Sequence, residues 1–200
     1  YDLLGQGRTL IQSTYDRLAQ ICGMDHVCVS TGDCHVATVR EQLPDLDPAQ
    51  ILAEPARRNT APCIAWAAWR IYARDPQASI IVTPSDHLIT GETLFVDSLR
   101  RGFEFVESHD ALLTLGITPV RPETGYGYIQ VGESVSQDLN KVKTFTEKPD
   151  LELAKVFLAS GEFFWNSGIF LWSAASIKEA FRLHAPEIAE KFDAGNSVYG

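Results

Sequence analysis

Apolar and polar residues follow two different spacings along the chain. From Thr9 to Cys22, the spacing of the residues places five apolar side chains on one face, which predicts an amphipathic helix; they are Leu10, Ile11, Tyr15, Leu18 and Ile21. Similar patterns predict helices at residues 35–43, 60–73, 94–107 and 151–159, with further helices to about residue 192. Short apolar runs predict strands at residues 27–29, 50–53, 79–83 and 111–115.

The order of these elements predicts an α/β fold. Up to Gly116, strands and helices alternate, which indicates right-handed βαβ units and a mostly parallel sheet. Beyond Gly116, the extended phrases YGYIQVGE and KVKTFTEKP follow one another without a helix between them. We therefore predict a Rossmann-like half at residues 1–116 and a more mixed half at residues 117–200. Together they would form a mostly parallel central mixed sheet flanked by helices.

Composition and charge narrow the classes of partner. The chain carries 26 Asp and Glu residues against 17 Lys and Arg, a net charge of -9. This balance disfavours nucleic acid and anionic membranes, because both call for a basic surface. The sequence contains no run of about 18 apolar residues, so we expect no membrane-spanning helix. The four cysteines form no C-x-x-C pair, so we expect buried free thiols in a reducing compartment, the cytoplasm.

The phrase EPARRNTAP joins the end of a predicted strand to the start of a helix. Ligands of parallel α/β sheets bind beyond the carboxyl ends of strands, and free N–H groups at a helix start favour phosphate. Arg57 or Arg58 could add charge-assisted hydrogen bonds to such an anion. The alternative is a solvated arginine pair with Thr60 as a simple helix cap.

A carboxylate follows the apolar strand in SIIVTPSDHLI. Asp86 lies just past the strand end, where it could hold Mg²⁺ bound to phosphates, since hard cations take oxygen ligands. The alternative is that Asp86 caps the next turn. His87 could be its partner, although a single histidine is more often a structural residue.

Glycines punctuate the phrase PETGYGYIQVG. Gly125 and Gly127 would allow a positive φ or a close approach of backbone to ligand, although a hairpin turn also calls for glycine. Gly5 and Gly7 lack the context of a dinucleotide-binding loop, and we interpret them as a turn before a helix.

Two further phrases place polar groups at or within strands. In FTEKPD, Glu147 and Lys148 would reach one ligand only at a strand end, and an ordinary polar turn is the alternative. In FFWNSGIFLW, Asn166 lies in an apolar strand beside Trp165. Sugar hydroxyls would satisfy its amide against an aromatic wall, and a β-bulge at Gly168 is the alternative.

Taken together and in this order, these five phrases closely resemble the mannose-1-phosphate guanylyltransferases, the GDP-mannose pyrophosphorylases. The resemblance covers nearly the whole chain, from Leu3 to about Phe192. It implies a nucleotidyltransferase (GT-A-like) fold. It also implies synthesis of GDP-mannose and pyrophosphate from GTP and mannose 1-phosphate, with Mg²⁺ as cofactor.

The resemblance also implies roles for individual residues. Asp86 would bind Mg²⁺, and it would act in catalysis together with Lys148, the cation near the sugar phosphate. The residues expected along the guanosine nucleotide are Arg58, Asn59, Thr60, Pro84 and Ser85. The residues expected around the hexose are Gly127, Glu147 and Asn166.

Alternatives and departures remain open at this point. The chain could serve another hexose 1-phosphate, or be a non-catalytic sugar-nucleotide-binding regulatory homologue, and a homodimer is left open. The family has glycine where Arg57 stands. Its glycine-rich phosphate loop would precede Tyr1, and a second acidic metal ligand would follow Gly200. We therefore expect a fragment that is inactive by itself.

Overall fold

A computed structural model describes residues 2, 5, 7–56 and 58–195 of the chain. These residues divide into two compact units. The first comprises the chain up to Leu113 together with the chain from Leu171 onward, and the second comprises Thr114–Phe170.

Helices and strands alternate along most of the chain. The helices are α1 (Leu10–Cys22), α2 (Val36–Gln42), α3 (Thr60–Arg74), α4 (Glu92–Ser108), α5 (Leu151–Ser160), α6 (Ala174–His184) and α7 (Pro186–Ala194). The strands are β1 (Val29–Gly32), β2 (Ile51–Glu54), β3 (Ser79–Val82), β4 (Leu113–Ile117), β5 (Gly127–Ser136), β6 (Leu139–Glu147) and β7 (Phe163–Ser173). Short 3₁₀ helices lie at Met24–His26, Asp33–His35 and Pro48–Gln50.

In the first unit, a capping box starts α1. The Thr9 hydroxyl accepts a hydrogen bond from the backbone N–H of Gln12, and the Gln12 side chain accepts one from the backbone N–H of Thr9. The apolar face of this helix joins a core cluster that includes Tyr15, Val39 and Ile51. The helix predicted from the apolar spacing is therefore confirmed, with Thr9 as its cap.

The strands of the first unit include a parallel pair. β1 and β2 run parallel, with Val29 opposite Ile51. β3 pairs with β7, and the N–H of Ala174 donates to the carbonyl of Ala78 at 2.8 Å. The parallel strand β2 ends at Glu54, shortly before α3 begins at Thr60.

Helix α3 is held in the first unit by the fully buried Trp69. Its indole ring lies 5.9 Å from the ring of Phe181 on α6 and 5.8 Å from that of Phe192 on α7. Its Nε1–H donates to Asp193 at 2.8 Å, so the buried indole is satisfied. These contacts anchor α3, whose first residue, Thr60, follows the phrase that contains Arg58 and Asn59.

The second unit is built on antiparallel strands. β5 pairs with β6 and with β7, and Gly127 lies opposite Glu147. Its core includes Tyr128, Phe157 and Trp165, with Phe163 packed against them. Asp150 caps α5 by accepting from the N–H of Leu153 at 2.8 Å, and Gly161, at φ 70°, ends that helix.

The predicted helices are all present, but two predicted strands are displaced. The strands expected at residues 27–29 and 111–115 begin instead at Val29 and Leu113. Val27 is buried and packs in the first core without belonging to a strand, which explains why its apolar character misled the prediction. The described strands form two sheets: β1 and β2 make a parallel pair of their own, and β3, β7, β5 and β6, with β4 beside β7, make a five-stranded sheet. The predicted parallel pairing is therefore seen in β1 and β2, whereas β5 is antiparallel to both β6 and β7.

The cysteines are free, as predicted, but the expectation that they are buried is wrong. Cys28 and Cys34 are exposed, and Cys22 and Cys63 are half-buried. Apolar spacing could not reveal this, because Cys28 lies just before β1 and Cys34 in the short 3₁₀ helix Asp33–His35, and neither has the repeating pattern of a buried face. Among the described residues, no helix has the length and apolar character needed to cross a membrane.

Candidate active site

The start of α3 is an open helix N-terminus. Asn59 precedes the first turn with φ 66°, and its side chain makes no capping hydrogen bond. Thr60 is the first helical residue, so the alternative that Thr60 simply caps the helix is wrong. The first turn contains no acidic residue, and Arg58, Asn59 and Thr60 are exposed. Uncapped N–H groups beside an arginine suit an anion; Arg57 lies outside the described residues.

The segment after β3 carries a carboxylate that has no partner among the described residues. Pro84 and Ser85 lead from the strand to Asp86, which is exposed. Within the described part of the chain, Asp86 has no hydrogen bond or ion pair, so the alternative that it caps the next turn is not supported. The buried Thr14 on α1 donates from its hydroxyl to the carbonyl of Ser85 at 3.4 Å, which ties this segment to a helix.

The fit of this segment to Mg²⁺ rests on the chemistry of its donor. No three His, Cys, Asp or Glu side chains of the described residues form a group that could hold a metal by themselves. Mg²⁺ is commonly bound through one or two carboxylates, with phosphate oxygens and water supplying the other ligands. A carboxylate that lies just after a strand and has no partner in the described part of the chain therefore fits a metal that arrives with a phosphate ligand.

In the second unit, three of the predicted hexose-binding residues lie together. A Cβ added at Gly127 would lie 2.7 Å from Oε2 of Glu147 and 3.5 Å from Cβ of Asn166. Any side chain at this position would therefore displace the Glu147 carboxylate, which approaches the Gly127 backbone closely. Neither Gly125 nor Gly127 adopts the positive φ that glycine would allow.

The unusual backbone lies instead at Lys148, which has φ 45°. Its N–H donates to the carbonyl of Tyr126 at 3.2 Å, and its Nζ lies 3.4 Å from Oε1 of Glu147. The regular alternation of strand side chains is broken at this residue, so the two charged groups reach one another. Both side chains are about two-thirds exposed, which leaves them accessible to a ligand.

Asn166 is only partly satisfied by the protein. Its Oδ1 accepts from the N–H of Gly168 at 3.0 Å and from the hydroxyl of Thr114 at 3.3 Å. Its Nδ2 would lie 3.8 Å from a Cβ at Gly127. Gly168 has φ 72°, a local irregularity of β7 that accompanies the polar island. The amide oxygen is thus engaged while the amide donor points toward the Gly127 backbone.

The aromatic residue expected to form a wall is itself covered. Trp165 is buried, the ring of Tyr126 meets it edge-on at 5.3 Å, and the guanidinium of Arg121 lies 5.4 Å from its centroid. Tyr126 is 45% exposed, so it is the aromatic ring that this cluster presents to solvent.

Comparison with known proteins decides the family. Residues 3–195 match the family described as nucleotidyl transferase. The chain belongs to the nucleotidyl transferase family. It is 38% identical over 184 residues to the mannose-1-phosphate guanylyltransferase RfbM of Salmonella typhimurium, an alignment covering 90% of this chain and 38% of the relative. It is also 38% identical over 190 residues to the mannose-1-phosphate guanylyltransferase of Escherichia coli K12, covering 91% and 39%.

A solved structure agrees. The crystal structure named mannose-1-phosphate geranyltransferase from Thermus thermophilus superposes with a TM-score of 0.86 at 28% identity, covering 96% of this chain and 56% of that chain. The predicted α/β nucleotidyltransferase fold and the resemblance to mannose-1-phosphate guanylyltransferases are therefore confirmed. The chain spans about two fifths of the length of these curated relatives.

Two residues that contact segments of the candidate site, Thr14 and Glu123, were not predicted from the sequence. Thr14 contacts the Ser85 carbonyl from 71 positions away, and nothing in the sequence around Thr14 signals that contact. Glu123 lies in the same phrase as Gly125 and Gly127, two positions after Arg121. Its proximity to Arg121 was the signal that could have found it. Hydrogen bonds from the Gly125 N–H and from Arg121 hold the pKa of Glu123 below its ordinary value.

Proposed function

We propose that this nucleotidyl transferase forms GDP-mannose and pyrophosphate from GTP and mannose 1-phosphate. The observation that carries the proposal is the juxtaposition around Gly127. A carboxylate, an amide donor and a lysine ammonium surround a strand end whose glycine leaves no side chain in the way. Carboxylate and amide groups suit sugar hydroxyls, and the ammonium suits a phosphate. The names of the relatives supply the identity of the hexose and the base.

We propose that the two substrates bind to different parts of the chain. We assign nucleotide binding to residues 1–116, through Arg58, Asn59 and Thr60 at the start of α3 and through Pro84 and Ser85 after β3. We assign sugar-phosphate binding to residues 117–200, through Gly127, Glu147, Lys148 and Asn166. The uncapped helix N-terminus supports the first assignment, because its free N–H groups and partial positive charge favour phosphate.

The proposed reaction needs no protein nucleophile. A phosphate oxygen of mannose 1-phosphate attacks the α-phosphorus of GTP in line, a new P–O bond forms, and the bond to pyrophosphate breaks. The residues of this chain accelerate the step by orienting both substrates and by neutralising charge. Glu147 and Asn166 fix the hexose, while Lys148 places the attacking phosphate.

Asp86 is the proposed holder of Mg²⁺ in this reaction. When bound, the metal supplies positive charge next to the triphosphate oxygens, which offsets the charge developing on the leaving pyrophosphate. The freedom of the Asp86 carboxylate from other partners among the described residues supports this role. Asp86 and Lys148 are thus the two residues to which we assign a catalytic role.

We also propose binding partners and a cellular location for the protein. The only partners we propose are the two substrates, with neither nucleic acid nor membrane, on the basis of the net charge of -9. We place the protein in the cytoplasm, where nucleoside triphosphates are available. A homodimer is compatible with this function, and sedimentation of the full-length protein would detect it.

The test of the hexose end is Glu147→Gln in the full-length protein. The exchange keeps the shape of the side chain and removes its charge, which should cost roughly 1.5–3 kcal/mol in sugar binding, or about 10- to 150-fold in KM for mannose 1-phosphate. The KM for GTP should change less than about twofold. Glu133→Gln, on the exposed part of β5, is the matched control. A change in the KM for GTP alone would contradict the assignment of Glu147 to the hexose.

A further inference from the structure

One carboxylate in the second unit closes a loop beside the proposed hexose phosphate site. The segment Arg121–Gly127 leads into β5, and we call it the 121–127 loop. Oε1 of Glu123 accepts from the N–H of Gly125 at 3.1 Å. Oε2 of Glu123 accepts from Nε and Nη2 of Arg121 at 3.2 and 3.1 Å. A single side chain therefore binds the loop backbone with one oxygen and a guanidinium with the other.

The backbone at Glu123 is fixed as well. Its N–H donates to the hydroxyl of Tyr128 at 2.9 Å, and Tyr128 is fully buried in the core of the second unit. Arg121, the partner of Glu123, lies over the buried Trp165. The loop is thus attached to buried rings through both members of the Arg121–Glu123 pair, although neither Gly125 nor Gly127 has a positive φ to define its turn.

The loop in turn holds Lys148. The carbonyl of Tyr126, near the end of the loop, accepts the N–H of Lys148 at 3.2 Å. Lys148 has φ 45°, a conformation that a residue other than glycine keeps only when its surroundings enforce it. Displacing Tyr126 would release the constraint on Lys148, and with it the position of the ammonium that we assign to the sugar phosphate.

We infer that Glu123 is a positioning residue: its carboxylate, held by Arg121, fixes the 121–127 loop and thereby sets the positions of Lys148 and of the Gly127 backbone for the hexose phosphate. This inference rests on the proposed function. It assigns no contact with substrate to Glu123, which acts through the backbone that it binds. The consequence is that loss of Glu123 should impair use of the sugar phosphate more than use of GTP.

The first test needs no substrate. Hydrogen exchange would be measured at the amides of Gly125 and Lys148 in the full-length wild type, in Glu123→Ala and in Glu123→Gln. Glu123→Ala should speed exchange at both amides by about tenfold or more. Glu123→Gln keeps an acceptor for the Gly125 N–H, so its exchange should lie closer to wild type. Unchanged exchange in Glu123→Ala would overturn the inference.

The second test is kinetic. In Glu123→Ala the KM for mannose 1-phosphate should rise on the order of 10- to 100-fold while the KM for GTP stays within about twofold, and Glu123→Gln should recover much of the loss. Glu133→Ala, which breaks the exposed Glu133–Lys141 pair of the neighbouring hairpin, is the matched control.

The outcomes separate the two claims. An active wild type in which Glu123→Ala affects both substrates equally would overturn the positioning role alone. A wild type without turnover of GTP and mannose 1-phosphate would refute the proposed function and this role with it.

Discussion

Replacing Gly127 by alanine is the sharpest perturbation of the hexose end, because the structure sets its size. The new Cβ would lie 2.7 Å from Oε2 of Glu147, whereas ordinary contact begins at 3.4 Å. The carboxylate must therefore retreat by about 0.7 Å, the difference between the two distances. Gly127 has no positive φ, so alanine adds no backbone strain at this position.

The cost should fall on binding and leave folding nearly unchanged. The Glu147 side chain is 68% exposed and can swing into solvent, so the free energy of unfolding should fall by less than about 1 kcal/mol. A displaced carboxylate that loses its hydrogen bonds to the hexose should cost roughly 1.5–3 kcal/mol. That loss corresponds to a rise of about 10- to 150-fold in the KM for mannose 1-phosphate.

The assay is pyrophosphate release by the full-length protein, with each substrate varied in turn and the unfolding transition measured alongside. Gly132→Ala in the same strand is the matched control: its Cβ would make a slightly tight contact, 3.3 Å from the carbonyl oxygen of Lys141, and would not touch Glu147. A Gly127→Ala protein with wild-type KM for mannose 1-phosphate would refute the close approach of Glu147 as a feature of the sugar site. A rise confined to the KM for GTP would refute the assignment of this unit to the sugar.

Three further predictions concern other parts of the chain. Asp86→Asn should lower Mg²⁺-dependent turnover by about 10²-fold or more while the fold stays intact. The control Asp97→Asn, on α4, should leave turnover unchanged. Near-normal turnover of Asp86→Asn would contradict the proposed metal role of Asp86. Asp193→Ala should lower the free energy of unfolding by roughly 2–4 kcal/mol. The substitution removes the hydrogen-bond acceptor of the buried Trp69 indole and the negative charge next to the buried Lys178 ammonium. A loss of stability no larger than that of Asp193→Asn would contradict this prediction. Because the pKa of Glu123 in the folded protein is lowered from 4.5, its ionised carboxylate should stabilise the fold fully above pH 4.5. This stabilisation should disappear as the pH falls through the lower pKa of the folded state. A difference in unfolding free energy between wild type and Glu123→Gln that stays constant over this acidic range would contradict the prediction.

Much of the helical structure could be predicted from the sequence, because local spacing and capping residues determine it. The helix from Thr9 to Cys22 combines an apolar face with a capping box, both of which are visible in the sequence. Strands are defined by pairing with distant partners, and a short apolar run does not reveal where pairing begins. Val27 shows the consequence, since it is buried without belonging to a strand.

The residues of the candidate site could be predicted from the sequence, but the contacts that hold them in place could not. The ordered phrases identified Gly127, Glu147 and Asn166, and the structure brings these residues together. The strained backbone was expected at glycine and lies at Lys148, because the hydrogen bond that holds Lys148 comes from a loop 22 positions earlier in the chain. Thr14 likewise acts through a backbone contact that only the folded chain creates.

We propose that the protein transfers a guanylyl group from GTP to mannose 1-phosphate. The most direct measurement is pyrophosphate release by the full-length protein across a matrix of GTP, ATP and UTP with several hexose 1-phosphates, with the sugar nucleotide identified by mass spectrometry. We predict the highest kcat/KM for GTP with mannose 1-phosphate, dependent on added Mg²⁺. A clear preference for another pair, or binding of substrates without any pyrophosphate release, would contradict the account.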